Sequence, residues 1–167
     1  VALRANKLLE VRIDGGPAGI RRDIALVDAV LADERLIAAR ALWKPEGLRA
    51  VYLAFAEAQA IGLSSIGGLL QPVSREAPGG LAVHLAPDPA YRSQVVRAPI
   101  APGMVRAIGI EQVQAMPPGQ DFAVRQAAGV VALDGERELA FGPGEHVHIS
   151  VRADAFSTID LGRCLHE

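Results

Sequence analysis

The chain has 167 residues and half of them are apolar, enough for one domain with a substantial core and incompatible with disorder. Its 17 basic residues against 19 acidic ones leave a net charge of −2, without the basic stripe that nucleic-acid binding requires. A single cysteine, Cys164, rules out an internal disulfide framework. No apolar run reaches the length of a membrane span and none reads as a signal peptide, so a soluble, cytoplasmic protein without membrane or nucleic-acid partners is expected.

The sequence opens at Val1 rather than a methionine, which reads as a processed start or a piece of a longer protein. Its 17 glycines and 11 prolines make up about one residue in six, a density of turn-formers that suits many short strands. Leu9–Ile13 alternates apolar and charged residues before the turn Asp14-Gly15-Gly16-Pro17, predicting a half-buried strand. Residues 23–32 are apolar except for Asp28, and after Asp33-Glu34 a second apolar run covers 35–43. The two read as a hairpin of strands, although alanine-rich runs this short also suit helices and periodicity alone does not separate the two.

Residues 49–55 read as another buried strand, and 56–66 hold the best helix formers in the chain, ending at Gly67-Gly68. Further strands are predicted over 80–86, 91–98, 104–114, 122–133, 136–141, 145–152 and 157–161. Asp134-Gly135 supplies a hairpin turn with positive φ, and Pro/Gly pairs at 78–79, 102–103, 118–119 and 142–144 supply others. The pattern predicts a mainly β protein: an antiparallel β-sandwich with one short helix near residues 56–66.

Four features carry possible chemistry. His146 and His148 stand two apart on a strand, so their imidazoles share a face, as in metal-binding cupin-type barrels. No carboxylate falls at the following ligand position, and the pair also reads as two surface residues on an edge strand. Cys164, two residues before His166, lies at the end of the chain, where a fixed nucleophile pocket is hard to build. The stretch Gly62-Leu63-Ser64-Ser65-Ile66-Gly67-Gly68 offers hydroxyls and amides to an anion, but it lacks the lysine of a P-loop and the spacing of a dinucleotide fingerprint. Asp28 is the most telling, because a carboxylate in an apolar run costs several kcal/mol unless it is paired, exposed or functional.

These segments together resemble the C-terminal domain of the ATP-NAD kinase superfamily, in particular its AcoX-like branch. Ala25-Leu26-Val27-Asp28-Ala29-Val30 is similar to the family's Ala-Leu-Asn-(Glu/Asp)-Val-Val strand. Leu53 to Gly68 runs without gaps along the family's Val-Ser-Thr-Pro-Thr-Gly-Ser-Thr-Ala-Tyr-Ser-Leu-Ser-Ala-Gly-Gly segment. Arg97-Ala98-Pro99-Ile100-Ala101-Pro102 resembles its Thr-Pro-Ile-x-Pro stretch, and Leu133–Glu136 with Glu145–Ile149 resemble its closing hairpin and partner strand.

The resemblance implies a β-sandwich of the NAD-kinase C-terminal type, with residues 1–167 as one domain of a two-domain kinase-like parent. That family's Gly-Gly-Asp-Gly-Thr motif, which holds the catalytic carboxylate, is absent here. The implied division of labour places catalysis, ATP and Mg2+ in a missing N-terminal kinase domain. The present chain then supplies nucleotide binding, with NAD or a related nucleotide as acceptor, and contacts of a homo-oligomer, and has no turnover alone. The residues assigned to the pocket on this basis are Asp28, Glu57, Gln59, Ser64, Ser65, Gly67 and Gly68. Val27 stands where the family has Asn, and Phe55–Gly62 replaces its hydroxyl-rich Thr-Pro-Thr-Gly-Ser-Thr-Ala-Tyr, leaving Glu57 and Gln59 as different polar contacts. The competing expectation is a non-catalytic metabolite-sensing or assembly module with a diverged pocket.

Overall fold

A computed structural model of the chain describes residues 2–33 and 45–164. Among these residues the strands are β1 (Leu3–Asp14), β2 (Arg21–Ala25), β3 (Asp28–Ala32), β4 (Leu48–Leu53), β5 (Gly80–Leu85), β6 (Gln94–Ala101), β7 (Met104–Met116), β8 (Phe122–Ala123), β9 (Gly129–Leu133), β10 (Arg137–Phe141) and β11 (His146–Ile159). Two short helices, α1 (Ser64–Leu70) and α2 (Leu161–Cys164), complete them. The strands form a four-stranded sheet, β2-β1-β11-β8, and a seven-stranded sheet, β10-β9-β3-β4-β5-β7-β6, antiparallel throughout. The antiparallel sandwich predicted from the sequence is the fold observed.

Alternation builds the smaller sheet. Leu9, Val11 and Ile13 of β1 point inward with Val147, Ile149 and Val151 of β11, while Glu10, Arg12, His148 and Ser150 stay partly solvated. The larger sheet is apolar on both faces. Ala29, Leu31, Ala50 and Tyr52 fill the space between the sheets, whereas Val30, Val51, Leu53, Leu81 and Val83 pack on the other side with Ile66 of α1. A strand covered on both faces reads as an unbroken apolar run, which explains the character of β3, β4 and β5.

Several sequence expectations are revised. The run 23–32 is two strands in different sheets, and the chain crosses from one sheet to the other at Leu26–Val27. Its predicted hairpin partner, 35–43, lies outside the described residues; β3 instead pairs with β4 and β9. The 122–133 run is broken into β8 and β9, while 145–152 and 157–161 are parts of the single long strand β11. Asp154 (φ +50°) lies where the β1–β11 register shifts between Asn6 and Leu8.

The helix expected near 56–66 begins only at Ser64. Tertiary pairing overrides the helix propensity of the alanines: Ala56 exchanges two backbone hydrogen bonds of 2.9 Å with Val73. Gly62, at φ +120°, then turns the chain and donates its N–H to the Pro99 carbonyl at 2.9 Å. Gly67 and Gly68 lie inside α1 rather than at its end. The Asp134-Gly135 turn is as expected, with φ of +52° and +68° and the Glu136 N–H donating to the Leu133 carbonyl at 3.0 Å. No helix among the described residues is long and apolar enough to cross a membrane.

Candidate functional site

The point where β2 hands over to β3 is fastened by one side chain. The Asp134 carboxylate, on the β9–β10 turn, accepts the backbone N–H groups of Leu26 (2.8 Å), Val27 (2.7 Å) and Asp28 (3.2 Å). In return the Asp134 N–H donates to the Asp28 carbonyl at 3.0 Å. A chain leaving one sheet for another strips its amides of ladder partners, and a carboxylate acceptor supplies charge-assisted replacements.

Asp28 itself opens β3, opposite Leu53 of β4. Among the described residues nothing donates a hydrogen bond to its carboxylate. Burial, reinforced by the charge of Asp134, pushes its pKa up to about 6. The chain that follows Leu53 begins beside it, since the Ala54 N–H donates to the Val27 carbonyl at 3.0 Å. This segment carries Phe55, whose ring lies under the Arg75 guanidinium at 3.7 Å, and Glu57, which pairs with Arg75 at 3.0 Å.

The other predicted pocket residues are placed differently. Gln59 is exposed on the loop before α1. Ser64 and Ser65 are buried, and the Ser65 hydroxyl donates to the Gly62 carbonyl at 2.7 Å, fixing the entry to α1. A Cβ on Gly67 would stand 2.2 Å from Leu53 Cδ1, and one on Gly68 would stand 2.1 Å from the Glu57 carbonyl oxygen. These two glycines let α1 lie against β4 and the 56–58 backbone. Asp28 and Glu57 therefore sit on neighbouring chain segments at one end of the larger sheet, while Ser65, Gly67 and Gly68 serve the seating of the helix.

His146 and His148 do share the outer face of β11, but they stand opposite Asp14 and Arg12 of β1. A guanidinium beside an imidazole is a poor setting for a bound cation, and no group of three or more potential metal ligands gathers among the described residues. Cys164 accepts the Ala2 N–H at 3.2 Å and helps tie the ends of the chain together. The local sequence marks Asp134 as a turn residue and gives no sign of the roles of Phe55 and Arg75. Their roles depend on side chains that meet across the fold, although an Asp at a positive-φ turn beside the Asp28 strand was a usable signal.

Together these features define a β-sandwich domain with an acidic corner where the chain passes between its sheets. The chain belongs to the family described as the acetoin catabolism protein X C-terminal domain, whose profile matches residues 7–154. It is 51% identical over 164 residues to acetoin catabolism protein X of Cupriavidus necator, an alignment covering 98% of this chain and 45% of that protein. The chain thus spans less than half the length of that curated relative.

Proposed function

We propose that the domain is the nucleotide-binding and oligomerisation half of an AcoX-type phosphotransferase related to the ATP-NAD kinases, with NAD or a related nucleotide as the phosphate acceptor. Asp28 is the observation that carries this reading. Its carboxylate is half-buried, keeps an edge open to solvent and has no hydrogen-bond donor among the described residues, an arrangement that suits a ligand bringing hydroxyl or amide donors to it. Near neutral pH it is largely ionised and accepts such bonds strongly. Glu57, held by Arg75 beside Phe55, adds a second polar edge, and Gln59 lies farther along the same loop.

Phosphoryl transfer also needs magnesium on the donor phosphates and a group that orients the attacking hydroxyl. This reading gives ATP, Mg2+ and the catalytic carboxylate to the N-terminal kinase domain that the resemblance implies. The test is an assay for ATP-dependent phosphorylation of NAD, run on this 167-residue chain and on a full-length acetoin catabolism protein X that carries this domain. Turnover by the full-length protein alone supports the division of labour. NADP formation by this chain by itself overturns it.

A second reading, a non-catalytic metabolite-sensing or assembly module, draws on a separate observation. The Ser65 hydroxyl and the small residues Gly67 and Gly68 are spent inside the fold, and β6 ends the larger sheet with Val95 and nearby Tyr91 exposed. Sedimentation of native protein and a Val95→Asp variant separates assembly through this edge from assembly elsewhere. A native oligomer that the substitution dissociates supports the edge, and an oligomer that it leaves intact excludes it.

A further inference from the structure

We propose that the outer face of the four-stranded sheet carries an oxyanion site, formed by Arg12, Arg22 and His148 and suited to the phosphate group of a small metabolite. The register places Arg12 of β1 directly opposite Arg22 of β2 on one side and His148 of β11 on the other. Directly opposed residues of an antiparallel sheet share a face, so these three side chains form one row across three strands. They line a cavity of about 310 Å³ together with Glu10, Asp23 and Ser150.

Like charges opposed across a sheet repel each other, and an anion between them relieves the repulsion. The neighbouring acids do not neutralise Arg22. Asp23, which also borders the cavity, takes the Arg137 guanidinium at 2.7 Å, while Glu10 faces Arg152 at 3.4 Å. Arg22 makes no ion pair among the described residues. Arg12 is paired with Asp14 and, at 3.3 Å, with the exposed carboxylate of Asp121, which also lines the cavity. Asp121 therefore acts as a tethered competitor on the outer nitrogen of Arg12, and an incoming phosphate displaces it. Guanidinium forks match phosphate oxygens in geometry as well as charge.

The site lies on the other sheet from the acidic corner and does not depend on the nucleotide reading. The test is an NMR titration of the 167-residue chain with inorganic phosphate at constant ionic strength, with chloride and acetate as controls. Saturable shifts at Arg12, Arg22 and His148 are expected. Arg22→Ala should weaken binding by about fivefold or more, and Asp121→Asn should strengthen it by about threefold, since removing a competing carboxylate favours the anion. Both substitutions are at exposed positions, and the dispersion of the spectra reports whether the fold is kept. Shifts that chloride or acetate reproduce equally overturn the proposal. So does a folded Asp121→Asn variant that binds phosphate no better than the native chain.

Discussion

Asp28 and Asp134 are joined by two hydrogen bonds, one of them to the Asp134 carboxylate, while the two carboxylates repel. The Asp134 side chain receives the Asp28 N–H at 3.2 Å, the Asp28 carbonyl receives the Asp134 N–H at 3.0 Å, and the charge on Asp134 helps raise the pKa of Asp28. A residue that anchors the sheet crossing thus also makes its neighbour harder to ionise.

Removing the anchor should be costly. Asp134→Ala leaves the N–H groups of Leu26, Val27 and Asp28 without their acceptor and is expected to destabilise the fold by about 2–4 kcal/mol, read by urea denaturation. Asp134→Asn keeps one acceptor oxygen and tolerates the positive φ, so it should lose less.

Asp28 gives stability a pH dependence of definite sign. Its folded-state pKa of about 6 exceeds the unfolded value of 3.8, so the folded state prefers the protonated form. The penalty for ionising it is absent below the unfolded pKa, develops as pH rises from 3.8 to about 6, and is complete above that. Asp28→Asn, which removes the charge, should therefore stabilise the chain at pH 7 by up to about 3 kcal/mol and change it little at pH 3.5. Parallel denaturation of both proteins across pH isolates this residue from the other carboxylates, and a constant difference between them contradicts the assignment.

The glycines of α1 should respond unequally to alanine. A methyl on Gly67 meets the movable end of Leu53, whereas one on Gly68 meets the Glu57 backbone. Gly68→Ala is expected to lower stability by about 2–3 kcal/mol and Gly67→Ala by less, with helix propensity offsetting up to about 1 kcal/mol in each. Thermal unfolding of the two variants checks the order.

Lys7 is a buried cation whose Nζ donates to the carbonyls of Ser74 (2.9 Å), Ala77 (2.5 Å) and Gly79 (2.5 Å). Lys7→Met keeps the stem but leaves these acceptors without their donor, and should cost about 2–4 kcal/mol. Faster hydrogen exchange and protease cleavage within 74–79 would locate the effect at that loop, while unchanged protection there would show that Lys7 does not pin it.

The sequence was legible where local pattern and tertiary structure agree. The alternation Leu9-Glu10-Val11-Arg12-Ile13 maps directly onto inner and outer faces of β1, and Asp134-Gly135 adopts the turn its residues favour. Misreadings arose where long-range contacts decide. Alanines 56–60 have helix propensity, but the pairing of Ala56 with Val73 and the turn at Gly62 delay the helix to Ser64. The 23–32 run hid a passage between sheets because β3 is covered on both faces and shows no alternation. At the candidate site, the oddity of Asp28 was visible in the sequence, whereas its coupling to Asp134, 106 residues away, was not. The row Arg22–Arg12–His148 likewise exists only through strand register.

Nucleotide binding at Asp28 can be read by calorimetric titration of NAD into a full-length acetoin catabolism protein X carrying this domain, compared with its Asp28→Asn variant at pH 7. Saturable binding is expected, weakened by the substitution about tenfold or more, the size of one lost charge-assisted hydrogen bond, in a protein at least as stable as the native one. Equal NAD affinity in the two proteins, or no saturable NAD binding by the native one, would contradict nucleotide binding at Asp28.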